Sequence, residues 1–288
     1  MAMKERKQRG SGWSIAMVLF LYRFLGYRFI YYLQYPISFF YFIMASNVKD
    51  ALRIYYKQID IPFNNRVYYE HLRIFAVCLV DRFISKIKPD AYTFDYDDIS
   101  VPLETLSSAS ILVYSHFGGW AASSNGAELN NQINMVMQES MLDGIKKLEE
   151  AIESKNQLKV IDLNQGTLQV SIAIANALIE EEVVAMMADR ASTEKASLAC
   201  SFFGKEAFFN KSPFQVAYKV DKPILVYFII LVGMQQYKVE YIKIEMDKSK
   251  NEEEAIVQAM EQYINKFETV IRQYPNQWFN LYDFWETK

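Results

Sequence analysis

Five short apolar runs restrict this chain more than any other feature. They are ILVYS (111–115), INMVM (133–137), LKVIDL (158–163), VVAMM (183–187) and PILVYFIILV (223–232). Runs this short and mostly apolar, bounded by helical patterns, suit strands of a sheet covered on both faces. Helical patterns fill the intervals: MLDGIKKLEEAIESK (141–155), TLQVSIAIANALIEEE (167–182) and SPFQVAYKV (212–220). Alternation of this kind predicts an α/β domain, with a mostly parallel central sheet flanked by helices. YKVEYIKIEM (237–246) alternates apolar and polar side chains and reads as an antiparallel edge or hairpin partner. Helices are also expected over 64–87 and 252–273, the second stopped by Pro275. The aromatic tail PNQWFNLYDFW (275–285) then lies across the domain, closing a pocket or facing lipid, with most of its rings in the core.

The first 47 residues follow another pattern. A basic run, KERKQR (4–9), precedes a stretch from Trp13 to Ala45 whose only charges are Arg23 and Arg28. Phe29 to Val48 carries no charge and is long enough in principle to span a bilayer, but Pro36 divides it, and Gln34 and several tyrosines interrupt it. The expectation is a membrane-associating segment over 1–47, a monotopic helix pair in preference to a single pass, followed by the α/β domain over 48–288. Twenty Tyr, twenty Phe and four Trp suit a membrane interface, where Arg23 and Arg28 snorkel to headgroups. The segment is too long and too aromatic for a signal peptide and lacks a small-residue cleavage site.

A net charge of −3 gives no whole-protein attraction to nucleic acid. Two cysteines, Cys78 and Cys200, and two histidines, His71 and His116, are too few and too scattered for a zinc site. No metal or cofactor is expected, and the cysteines read as reduced thiols of a cytoplasmic protein. A serine hydrolase is disfavoured because no GxSxG elbow is present.

In open parallel sheets, ligands bind beyond the carboxyl ends of the strands. ILVYS ends on His116, followed by Phe117, Gly118, Gly119 and Trp120, while VVAMM runs into Ala188, Asp189 and Arg190. A histidine at such an end, ahead of a glycine-opened helix start, is placed to act as an acyl-transfer base, with Asp189 and Arg190 as its companions. The alternative for each is structural: a satisfied strand-end histidine, and an Asp189–Arg190 ion pair.

The ordered set HFGGW (116–120), ADR (188–190), FFGKEAFF (202–209), SPFQVA (212–217), KPIL (222–225) and QWFNLYDFW (277–285) resembles the lysophospholipid acyltransferase superfamily. Within it, the chain is most similar to the branch containing the late acyltransferases of lipid A biosynthesis. The resemblance implies transfer of a fatty acyl group from an acyl carrier protein or coenzyme A thioester to a hydroxyl of a lipid or glycolipid, at the cytoplasmic face of the bacterial inner membrane. It implies His116 as general base, with the backbone N–H groups near Gly118 and Gly119, or the Arg190 guanidinium, as oxyanion donors. Trp120, Lys211 and Ser212 are the further substrate-binding candidates, the last two toward an anionic headgroup or phosphopantetheine. The family motif sets Asp or Glu five positions after the histidine, and here that position is Ala121. Three readings stay open: Asp189 or Glu139 supplies the carboxylate through space, a backbone carbonyl orients His116, or the protein is a catalytically silent lipid-binding or complex-forming member of the fold.

Overall fold

The chain enters its sheet only after three helices: α1 (Gly12–Met44), α2 (Ser46–Gln58) and α3 (Asn65–Ile87). A computed structural model describes residues 12–120, 131–138, 158–191 and 193–285. The basic run 4–9, Ala121, Glu139 and the helix expected over 141–155 lie outside the described residues. The remaining elements, in order, are β1 (Thr93–Tyr96), α4 (Ser100–Leu106), β2 (Ser110–Tyr114), β3 (Ile133–Met137), β4 (Leu158–Asp162), α5 (Thr167–Ile179) and β5 (Val183–Met187). There follow β6 (Ser197–Phe202), β7 (Lys205–Asn210), α6 (Ser212–Val220), β8 (Ile224–Gly233), β9 (Gln236–Ile244) and α7 (Glu252–Gln273).

Seven strands form one sheet in the order β1-β9-β8-β2-β5-β3-β4. β8, β2, β5, β3 and β4 are mutually parallel, as the apolar runs of β8, β2 and β5 suggest, and β9 returns antiparallel to β8. β9 is thus a hairpin partner, and β1 takes the edge beyond it. β1 was not expected, because TFDY is short, half-exposed and has no apolar run. FFGKEAFF also holds more structure than its composition announces. It is the β6–β7 hairpin, turned at Phe203 and Gly204 with positive φ of 50° and 74°, the two-residue turn that matches strand twist.

α7 covers the sheet with Ala255, Ile256, Ala259, Met260, Tyr263, Ile264 and Phe267, all buried at helical spacing. Asn251 caps it by accepting from the Glu254 N–H at 3.0 Å.

α1 is one helical run interrupted at Gly26, where φ is 73° and ψ is 176°. The division expected at Pro36 therefore sits ten residues earlier. Proline removes one backbone hydrogen bond yet keeps a helical φ, whereas a glycine in the left-handed region breaks the ladder. The inward face of α1, with Val18, Leu19 and Ile30, packs with Ile74 and Cys78 of α3 and with Tyr237 and Val239 of β9. The outward face leaves Phe20, Phe24, Leu25, Phe39, Phe40, Ile43 and Met44 at least half exposed. Among the described residues no helix is long and apolar enough to cross a membrane.

One buried carboxylate ties these layers together. Asp81 of α3 accepts the phenol hydrogens of Tyr27 (2.8 Å), Tyr92 (2.9 Å) and Tyr237 (2.5 Å), joining α1, α3 and β9. Burial raises its pKa to about 6 against the pull of the three phenols.

Candidate active site

β2 and β5 are neighbours in register, with Tyr114 opposite Met187, and the Ala188 N–H donates to the Tyr114 carbonyl at 3.1 Å. Two residues further on, the same register sets His116 against Asp189. His116 Nδ1 lies 3.1 Å from each carboxylate oxygen of Asp189. Asp189 is fully buried, while the His116 side chain keeps 27% of its surface exposed. A carboxylate on Nδ1 selects the tautomer with its proton there, so Nε2 is left as the basic nitrogen.

Asp189 receives two more donors on Oδ2: the His116 backbone N–H at 3.1 Å and the Trp278 indole N–H at 3.2 Å. Burial pushes its pKa up, but the His116 charge and hydrogen bonds and the Arg190 charge outweigh that and hold it at about 2. The carboxylate is therefore an anion throughout the neutral range.

The tail fixes the other side of His116. The Phe279 N–H donates to the His116 carbonyl at 2.8 Å, and the Gly118 N–H donates to the Gln277 carbonyl at 2.8 Å. The Gln277 side chain binds Leu231 of β8 twice, donating from Nε2 and accepting at Oε1, each at 2.9 Å. Behind the histidine, Ser115 Oγ and the Tyr263 hydroxyl are hydrogen bonded at 2.8 Å in a buried position.

Gly118 and Gly119 are explained by close backbone approach. A Cβ at Gly118, whose φ is +54°, would lie 1.8 Å from the Ile229 carbonyl oxygen, and one at Gly119 would lie 2.2 Å from the Tyr237 ring. The Gly119 N–H donates to that Ile229 carbonyl at 2.9 Å. Both amides are thus spent on the scaffold, and the expectation that they stabilise an oxyanion is corrected. Arg190 forms no ion pair with Asp189. It donates from Nη2 to the Phe279 carbonyl at 3.1 Å, stacks 5.0 Å from the Tyr282 ring, and keeps a buried Nε without an acceptor.

Trp120 stacks on Tyr114 with centroids 5.0 Å apart. Lys211 and Ser212 open α6 beside the end of β5. Asn210 anchors them there, its amide group donating to Met187 O at 2.7 Å and its backbone N–H to Ala188 O at 2.9 Å. The other histidine, His71, is buried, bonded through Nδ1 to the Tyr56 hydroxyl at 3.1 Å, and held down at about 3 by desolvation, so it stays neutral. Among the described residues no three His, Cys, Asp or Glu side chains form a metal-ligand set. Reading the sequence did not single out Trp278 or Asn210 as parts of the site. Neither the aromatic tail nor an asparagine before a helix shows in sequence which strand end it meets.

The model for the bacterial lipid A biosynthesis acyltransferases matches residues 103–287. Among solved structures, the chain is similar to the 1-acyl-sn-glycerophosphate (LPA) acyltransferase PlsC from Thermotoga maritima, at 10% identity and a TM-score of 0.41 over 85% of this chain and 98% of that one. No curated protein sequence matches. The family match takes in every strand end just described and well over half of the chain, so the protein belongs to the bacterial lipid A biosynthesis acyltransferase family.

Proposed function

We propose that this lipid acyltransferase moves a fatty acyl group from an acyl carrier protein or coenzyme A thioester to a hydroxyl of a lipid or glycolipid, lipid A-like or related, with His116 as general base. The observation that carries the reading is the His116–Asp189 contact at the carboxyl ends of two adjacent parallel strands. His116 Nε2 takes the proton of the acceptor hydroxyl as its oxygen attacks the thioester carbonyl. The tetrahedral oxyanion collapses, the C–S bond breaks, and the leaving thiolate takes the proton back from the imidazolium, leaving an ester and a free thiol. Asp189 orients the ring and stabilises its charged form, the part that a residue at Ala121 does not play. Arg190 supplies positive charge and its unsatisfied Nε beside the developing oxyanion. Trp120, Lys211 and Ser212 line the substrate crevice, the lysine meeting donor or acceptor phosphate. α1 lays its exposed aromatic face in the cytoplasmic leaflet of a bacterial inner membrane, attached without crossing it.

The test is thiol release by purified protein from acyl-coenzyme A and acyl carrier protein thioesters, with and without lipid hydroxyl acceptors. Acceptor-dependent release that His116→Ala abolishes is the expected result. Acyl-chain binding with no turnover of either donor would favour the silent reading that Ala121 invites.

A further inference from the structure

We propose that the cavity at the break in α1 binds the phosphate headgroup of an anionic phospholipid. The proposal rests on the reading that α1 lies on a membrane, and adds to it a specific site.

A cavity of ≈ 280 Å³ opens between α1, the segment after α3 and the β8–β9 turn, lined by Tyr22, Arg23, Gly26, Tyr27, Lys88 and Gln235 among others. No acidic residue lines it. The side chains of Arg23 and Lys88 have no ion-pair or hydrogen-bond partner among the described residues. Cations set beside carboxylates are paired instead, as in Lys159–Glu182, Lys222–Glu181 and Lys266–Glu240. Two unmatched cations facing one concave space mark a place for an anion.

The backbone adds to this. Gly26 ends one helical stretch and lets the next begin at the cavity wall. The first turn of a restarted helix carries N–H groups without intrahelical partners and the positive end of its dipole, which together favour a phosphate. The buried Asp81 lies behind Tyr27 and opposes an anion, but three phenol hydrogens spread its charge inward, while both cations are exposed at the mouth. The occupant is lipid because Phe20, Phe24 and Leu25, within a turn of Arg23, are 60%, 72% and 50% exposed. Apolar side chains beside a basic cavity set its mouth at the depth of headgroup phosphates.

Flotation of the full chain with vesicles of phosphatidylcholine, alone or doped with phosphatidylglycerol, tests this. The wild type should prefer the doped vesicles by at least about tenfold, given roughly fivefold per cation near an anionic surface. Arg23→Gln with Lys88→Gln should lose that preference and keep binding to phosphatidylcholine, which also reports folding. Ala91→Phe, which fills the cavity without changing charge, should lose it too, whereas Arg28→Gln, outside the cavity lining, should retain most of it. Preference surviving in Ala91→Phe would overturn the cavity site in favour of diffuse surface charge. Binding of inorganic phosphate that Ala91→Phe abolishes, in a wild type that shows no preference for doped vesicles, would assign the cavity to free phosphate and overturn the lipid. Equal binding to both vesicles would remove the site but leave the membrane reading standing; no binding to either would remove both.

Discussion

Replacing Asp189 with asparagine tests the dyad without changing its shape. Oδ2 accepts from the His116 backbone N–H and the Trp278 indole, and both oxygens lie near His116 Nδ1. An asparagine has one acceptor oxygen and one donor group. With its oxygen at the Oδ2 position it satisfies the two fixed N–H groups and points its NH₂ at Nδ1. With the amide reversed, two buried N–H donors face an NH₂ group, at about 1–3 kcal/mol each. The first arrangement wins, and it forces the His116 proton onto Nε2, the nitrogen that must be free to act as base. The comparable amide replacement in a Ser-His-Asp triad lowers kcat about 10⁴-fold, or about 5.5 kcal/mol of barrier. Acceptor-dependent thiol release at saturating donor should fall by that order in Asp189→Asn, with KM little changed. Because the two fixed hydrogen bonds survive, the urea midpoint should move little. A variant that keeps more than about a tenth of the wild-type rate would refute the assignment of Asp189 as the orienting carboxylate.

Trp278→Phe removes the indole hydrogen bond to Asp189 and keeps an aromatic ring; a hydrogen bond to a charge is worth about 1.5–3 kcal/mol, so kcat should fall roughly tenfold or more at nearly constant KM, and an unchanged kcat with a lowered Tm would make the indole purely structural. Gly118→Ala must seat a Cβ 1.8 Å from a carbonyl oxygen at φ +54°, and equilibrium unfolding should show a loss above about 3 kcal/mol, or no folded protein. His71 sits at about 3 in the fold against 6.5 unfolded, so the unfolded chain binds the extra proton and stability is lost as pH falls from 6.5 toward 3. Asp81 has the opposite sign: at about 6 in the fold against 3.8 unfolded, its burial penalty is relieved as pH falls from 6 to 3.8. These two slopes, about 1.4 kcal/mol per pH unit each, oppose one another in that window. Asp81→Asn should therefore lose about 2 kcal/mol more than wild type between pH 6 and 4.5 in urea titrations, and equal slopes would contradict the account.

The strands were legible where burial on both faces wrote a mostly apolar run: VVAMM and INMVM match β5 and β3 residue for residue. Adjacency was not legible. β3, β4 and α5 intervene in the chain between β2 and β5, and the sheet order that brings His116 to Asp189 depends on how the crossovers pack, which no local pattern records. The choice between Asp189 and Glu139 stayed open in sequence for that reason. Local signals also misled in two places. Pro36, a usual helix breaker, is carried inside α1, whereas the unremarked Gly26 breaks it. The two glycines of HFGGW resemble an oxyanion loop, but their amides bind Gln277 and Ile229 across more than a hundred residues.

Mass spectrometry of lipids from cells with the gene, without it, and complemented with wild type or His116→Ala tests the central claim most directly. The account predicts that deletion shifts one lipid species down by one acyl chain, that wild type restores it, and that His116→Ala, expressed to the same level, does not. An unchanged lipid profile on deletion, or full restoration by His116→Ala, would contradict it.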